Sequence, residues 1–178
     1  MYEIEVKVRA DHANVRDRLA DLGAENRGTV VQADAYYDHP SRSFAETDEA
    51  LRVRREVDDV ETAVLTYKGP LVEEASKTRE EIELGVDDPA AMEAILESLG
   101  FEPVAEVRKE RERYWLGGYT VTLDRVEGLG EFVEVETEGS DEEIGERREG
   151  AYDLLSRLGL DPEGQLRTSY LGLLLADE

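Results

Sequence analysis

The chain has 178 residues, with 44 aspartates and glutamates against 21 lysines and arginines, and a formal net charge of −23. It contains no cysteine, which excludes disulfides and thiolate metal sites, and its two histidines are too few for a multi-histidine zinc site. So acidic a surface repels duplex and single-stranded nucleic acid.

In chain order, Met1–Arg9 alternates strictly, with Glu3, Glu5, Lys7 and Arg9 on one face and Ile4, Val6 and Val8 on the other, and so reads as a strand. Val15, Leu19 and Leu22 recur at helical spacing and Gly23 stops that helix. Thr29–Asp38 reads as a strand and Pro40–Glu49 as a polar loop. Ala50–Val57 and Glu61–Lys68 form a hairpin turning at Asp58-Asp59. Gly69-Pro70 breaks it, an acidic loop runs to Ser76, and Lys77–Leu84 is again a strand. Asp88-Pro89 opens a second helix as N-cap and first-turn proline, with Met92, Ile95, Leu96 and Leu99 as its apolar face. Strands are predicted at Val104–Leu116, Tyr119–Val126 and Glu131–Thr137, separated by glycine-rich turns. Ser140 and Glu143 carry the capping-box pattern of a third helix, whose buried stripe is Ile144, Ala151, Leu154, Leu155 and Leu158. Ser169–Leu175 is a short apolar helical segment, expected to pack on the sheet or close one end of it.

Glu3-Ile4-Glu5-Val6, a helix, Leu-Gly and Tyr36-Tyr37 are matched by Glu81-Ile82-Glu83-Leu84, a helix, Leu99-Gly100 and Tyr114-Trp115, with a spacing of 78 positions at both ends. The repeat points to a duplicated half and an α+β fold built on a pseudo-symmetric, closed, eight-stranded antiparallel β-barrel. The expected organisation is one domain over residues 1–178. No apolar run reaches spanning length and no signal segment opens the chain, so a cytoplasmic protein away from membranes is expected.

Ionisable groups alternate along seven strands: Glu3, Glu5, Lys7 and Arg9; Arg52, Arg54 and Glu56; Lys68; Lys77, Arg79, Glu81 and Glu83; Lys109, Arg111 and Arg113; Asp124; Glu134 and Glu136. A solvated sheet face would also alternate. Two features favour a charged interior instead. Lysine is scarce, four among 21 basic residues, as in salt-adapted acidic proteins, yet lysines stand on these faces. The helices need an apolar surface, which the opposite strand faces supply. A crowded charged interior is costly unless it is hydrated or binds something. Arginine forks match phosphate oxygens, and carboxylates beside them suit a hard divalent cation, Mg²⁺ or Mn²⁺. His12 and His39 read as surface residues. Tyr36, Tyr37 and Trp115 read as core or barrel rim, and Gly128–Gly130 as a hairpin turn.

Taken in order, Glu3-Ile4-Glu5-Val6-Lys7, Leu51-Arg52-Val53-Arg54, Tyr67-Lys68-Gly69-Pro70, Arg79 with Glu81 and Glu83, Lys109-Glu110-Arg111, Val121-Thr122-Leu123-Asp124, Gly128-Leu129-Gly130-Glu131-Phe132-Val133-Glu134-Val135-Glu136 and Ser169-Tyr170 resemble the CYTH, or triphosphate tunnel metalloenzyme, superfamily. Within it the chain is most similar to the class IV adenylyl cyclases and their archaeal relatives. The resemblance implies a tunnel that takes a triphosphate lengthwise and requires Mg²⁺ or Mn²⁺. Carried over by position, Glu3, Glu5, Asp124, Glu134 and Glu136 would hold metal. Lys7, Arg52, Arg54, Lys68, Lys109 and Arg111 would be the catalytic cations gripping the phosphates, joined in substrate binding by Arg79 and Arg113. Glu81 and Glu83 would balance charge or assist a second metal. The loops Pro40–Glu49 and Leu71–Ser76 are expected at the tunnel mouth. The implied activity is conversion of ATP to cyclic AMP and pyrophosphate. The alternatives are hydrolysis of inorganic, thiamine or nucleoside triphosphate, and a sensor without turnover, which would not need the carboxylates. A homodimer is a further expectation from the family.

Overall fold

A computed structural model describes residues 1–176. Eight strands close a barrel: β1 (Tyr2–Arg9), β2 (Glu25–Asp38), β3 (Ala50–Val57), β4 (Glu61–Lys68), β5 (Lys77–Gly85), β6 (Glu102–Leu116), β7 (Tyr119–Val126) and β8 (Gly130–Gly139). Around the barrel their order is β1-β5-β4-β3-β2-β6-β7-β8, and every pairing is antiparallel. The strands follow the alternating patterns of the sequence. β2 and β6 begin earlier than expected, and β2 crosses a bulge between Asn26 and Thr29.

The order is unchanged when β1–β4 are exchanged with β5–β8, as duplication requires. The register agrees. Val30 faces Arg111, and Arg108 faces Ala33, so each pair is the other displaced by the 78-position repeat.

Among the described residues five α-helices accompany the barrel: α1 (His12–Asp21), α2 (Phe44–Thr47), α3 (Pro89–Ser98), α4 (Ile144–Arg157) and α5 (Tyr170–Ala176). Asp11 and Asp88 cap α1 and α3 by accepting from the amides of Ala13 and Ala91. The capping box at Ser140 and Glu143 forms, but it opens a short 3₁₀ turn that leads into α4. The outward faces of β1, β7 and β8 present Val6, Val8, Val121, Leu123, Val133 and Val135 to Val15 and Leu19 of α1 and to Ala151, Leu154 and Leu155 of α4. Burying each such side chain is worth about 1.5–3 kcal/mol, so this layer dominates the apolar stabilisation of the barrel wall. α3 packs on β3 through Leu96 and Met92. Ile95 and Leu99, predicted for the same face, are 53% and 64% exposed, because one short helix on a curved wall buries a narrower stripe. Pro40–Glu49 is not all loop, since it contains α2. There Asp48, the one non-glycine residue with positive φ among those described, ends the helix in the left-handed region.

Candidate active site

Alternation places the charged faces inside the barrel. They line one cavity of about 320 Å³ together with Tyr36, Tyr37, Phe44, Leu51, Val104, Leu171 and Leu175 at its apolar side. α5 packs against this end, where Tyr170, Phe132, Val107, Val126 and Tyr36 form a cluster. The Tyr170 hydroxyl donates to Asp124 at 2.7 Å, and its ring lies 3.9 Å beneath the Lys7 ammonium.

Cations and carboxylates interleave. Lys68 lies 2.7 Å from Glu3 and 3.8 Å from Glu81, Lys77 lies 2.8 Å from Glu5, and Lys7 lies 3.8 Å from Glu134. Arg111 grips Asp124 with two bonds of 2.6 and 2.7 Å and reaches Glu134 at 3.1 Å. Arg54 holds Asp34 in the same fork, at 2.7 and 2.8 Å, and Lys109 reaches Asp34 at 3.1 Å. Arg52 differs. It lines the cavity nearly buried, its Nε has no hydrogen-bond partner, and it forms no ion pair within 4 Å among the described residues. A buried guanidinium with spare donors is a ready site for a phosphate.

Glu3, Glu5 and Glu136 each bring an oxygen to within 4.8 Å of one another. Burial raises the Glu136 carboxyl pKa well above the ordinary value, and the nearby charge of Glu3 adds to it. Burial also raises Glu3, partly offset by Lys68. Burial and Glu5 bring Glu134 up to about 7. Glu5 is held well below the usual range: burial pushes it up, but Lys77 and its neighbours outweigh that. Crowded buried carboxylates that resist ionising together are what a divalent cation relieves, and an all-oxygen donor set suits Mg²⁺ or Mn²⁺. The residues present therefore fit such a cation.

The residues expected at the site divide. Glu3, Glu5, Lys7, Arg52, Arg54, Lys68, Arg79, Lys109, Arg111, Glu134 and Glu136 line the cavity, as do Glu81 and Glu83. Asp124 lies behind Arg111, with its oxygens committed to that arginine and to Tyr170, outside the converging trio. Arg113 is away from the cavity lining, 3.5 Å from Glu56 and donating to the Arg27 carbonyl. Arg79 lines the cavity but spends its donors on the Asp48 and Gly69 carbonyls and on the Asp48 carboxylate, and so fastens the α2 loop. That loop borders the cavity through Phe44, Ala45, Asp48 and Glu49.

The Leu71–Ser76 loop does not border it. Arg148 of α4 pairs with Glu73 at 2.8 Å, Arg167 donates to the Glu73 carbonyl, and Tyr152 donates to the Ala75 carbonyl, drawing this loop toward α4. His12, expected at the surface, is buried, with its ring 2.9 Å from the Phe132 carbonyl. His39 packs against Phe44 and Phe101 outside the cavity. Asp34 and Lys77 had no assigned role in the sequence. Asp34 sits opposite Arg54 in the β2–β3 register, so strand pairing would have exposed it, and Lys77 already stood on an alternating face.

A family profile described as CYTH domain matches residues 1–170. A Methanocaldococcus jannaschii protein provisionally named adenylate cyclase is 40% identical over 175 residues, covering 97% of this chain and 98% of its own length. An Aeromonas hydrophila protein named adenylate cyclase CyaB is 31% identical over 172 residues, covering 94% of this chain and 85% of its own. A solved structure of a Pyrococcus horikoshii protein superposes with a TM-score of 0.92 at 40% identity and covers 99% of each chain. Among the described residues no helix is long and apolar enough to cross a membrane.

Proposed function

The chain belongs to the CYTH domain family, and from that premise we propose that it is a metal-dependent enzyme converting ATP to cyclic AMP and pyrophosphate. The observation that carries the reading is the pairing, in one cavity, of an arginine without a carboxylate partner and three converging carboxylates. A triphosphate needs both: cations for its non-bridging oxygens, and a divalent ion to reconcile those oxygens with the acidic wall.

Glu3, Glu5 and Glu136 would hold Mg²⁺ or Mn²⁺, with Glu134 beside them. When bound, the ion withdraws charge from the reacting phosphate and lowers the cost of ionising the attacking hydroxyl. Arg52, Arg54, Lys68, Lys109 and Arg111 bind and orient the phosphate chain together with Lys7, which is anchored by the Thr168 carbonyl and the Tyr170 ring. As the ribose 3′ oxygen bonds to the α-phosphorus, the bond from that phosphorus to pyrophosphate breaks. The negative charge gathering on pyrophosphate is met by this fixed row of cations. Among the described residues no histidine lines the cavity, and we assign the hydroxyl proton to a carboxylate. Glu134, at about 7, has the value suited to accept it near neutral pH. The apolar residues Tyr36, Phe44, Leu171 and Leu175 in the lining offer a nucleoside a contact that inorganic triphosphate would not use, and this favours a nucleotide over inorganic triphosphate as the substrate.

The test incubates the purified chain in concentrated KCl with ATP or inorganic triphosphate, Mg²⁺ or Mn²⁺ and a metal-free control, and separates the products. Metal-dependent cyclic AMP with equimolar pyrophosphate is the expected result. Orthophosphate without cyclic nucleotide would replace the cyclase by a triphosphatase, and binding without any product would make the chain a sensor.

A further inference from the structure

Lys77 has no role in the reading above, yet it occupies a telling place. Its ammonium is nearly buried, lines the cavity and lies 2.8 Å from Glu5, one of the three converging carboxylates. The neighbouring Lys68 is similarly placed on Glu3, but it has a second carboxylate, Glu81, within reach. Among the described residues Glu5 is the only carboxylate within 4 Å of Lys77. Lys77 also stands close enough to Lys7 for the two ammonium groups to repel each other. Lys7 is anchored by the Thr168 carbonyl at 3.1 Å and by the Tyr170 ring. Lys77 has Glu5 as its one carboxylate partner within 4 Å among the described residues, so it is the less tethered member of the pair.

A divalent cation and an ammonium compete for the same carboxylate oxygens. A phosphate chain entering the cavity adds negative charge between Lys7 and Lys77, relieves their repulsion and gives Lys77 a partner other than Glu5. We propose that Lys77 is the built-in counter-cation of Glu5, which weakens metal binding in the substrate-free protein and releases Glu5 to the metal when the triphosphate arrives. Metal and triphosphate then bind cooperatively, each strengthening the other by the same factor. Lys77 is on this account a positioning residue, acting through Glu5. The inference rests on the metal-dependent reading of the site.

The test measures Mn²⁺ binding by water-proton relaxation on the full chain in concentrated KCl, for the native protein, Lys77→Met and Lys77→Arg. Without phosphate, Lys77→Met is expected to bind Mn²⁺ about tenfold more tightly than the native chain, within the usual span of coupling between sites. Lys77→Arg, which keeps the cation, should stay near native. The gain should vanish in Lys77→Met combined with Glu5→Gln. If Lys77→Met does not fold, judged by circular dichroism, Lys77→Gln takes its place in the same titration. Equal Mn²⁺ affinity in the native chain and the neutral variants would overturn the role of Lys77 and leave the metal reading intact. Absence of any bound Mn²⁺ in all of them, with and without added inorganic triphosphate, would overturn the metal reading and this inference together.

Discussion

Lys109 shows how neighbours set the chemistry of a single side chain. Burial brings its pKa down to about 7, and the positive charge of Arg54, which forks onto the Asp34 that both share, adds to this by repulsion against the partial support of Asp34. In the free protein the group is therefore neutral above about 7, whereas a bound phosphate chain favours the ammonium. Triphosphate affinity should be full below that pH and should fall as pH rises from 7 to 9. Calorimetric titration across this range would show it, and Lys109→Arg should remove that part of the slope because a guanidinium stays charged. Arg52 and Arg113 allow a second comparison. The first faces the cavity without a carboxylate partner, while the second is turned to Glu56 outside it. Arg52→Ala should raise KM at least about tenfold more than Arg113→Ala does, a ratio equivalent to about 1.4 kcal/mol; equal effects in steady-state assays would contradict this placement. Both arginines were legible in the sequence as alternating cations. Which of them faces the cavity was not, because alternation gives the face of a strand but not how far along the tunnel a residue sits.

Among the elements, α4 is the one most fully read from sequence: its five predicted apolar positions are all buried. The reason Gly150 stands in its middle was hidden, since it depends on a partner strand. Tyr119 of β7 crosses that point and donates to the Arg147 carbonyl, and a Cβ on residue 150 would overlap its hydroxyl. Alanine is the better helix former by roughly 0.5–1 kcal/mol, yet here the overlap should win, at a cost on the order of 1–3 kcal/mol. Gly150→Ala should therefore unfold at lower urea than the native chain, and a gain in stability would contradict this packing. α2 was missed for a different reason. It is one turn long, Ser43 gives it no side-chain cap, and its end at Asp48 is fixed by Arg79 and Leu71 from elsewhere in the chain. Tertiary bonds of that kind leave no local pattern.

For the molecule as a whole, the repeat supplied most of the architecture. Matching segments 78 positions apart announced two equivalent halves, and the barrel order and register obey that equivalence. The charge distribution follows the same division. Cations concentrate on inward strand faces, while a net −23 is carried largely by the exterior. Mutual repulsion of that acidic surface weakens the folded state and is screened as the Debye length falls from about 10 Å at 0.1 M to 3 Å at 1 M salt. The melting temperature should accordingly rise with KCl over this range, and a flat or falling dependence in calorimetry would contradict a repulsive surface.

The central claim is that metal and triphosphate meet inside the barrel on these side chains. The most direct test is a crystal structure of the chain with Mn²⁺ and inorganic triphosphate, the ion being located by its anomalous scattering. The account predicts the manganese peak among Glu3, Glu5 and Glu136, with phosphate oxygens on Arg52 and its neighbouring cations. Manganese found only on exterior carboxylates, with no triphosphate in the cavity, would contradict it.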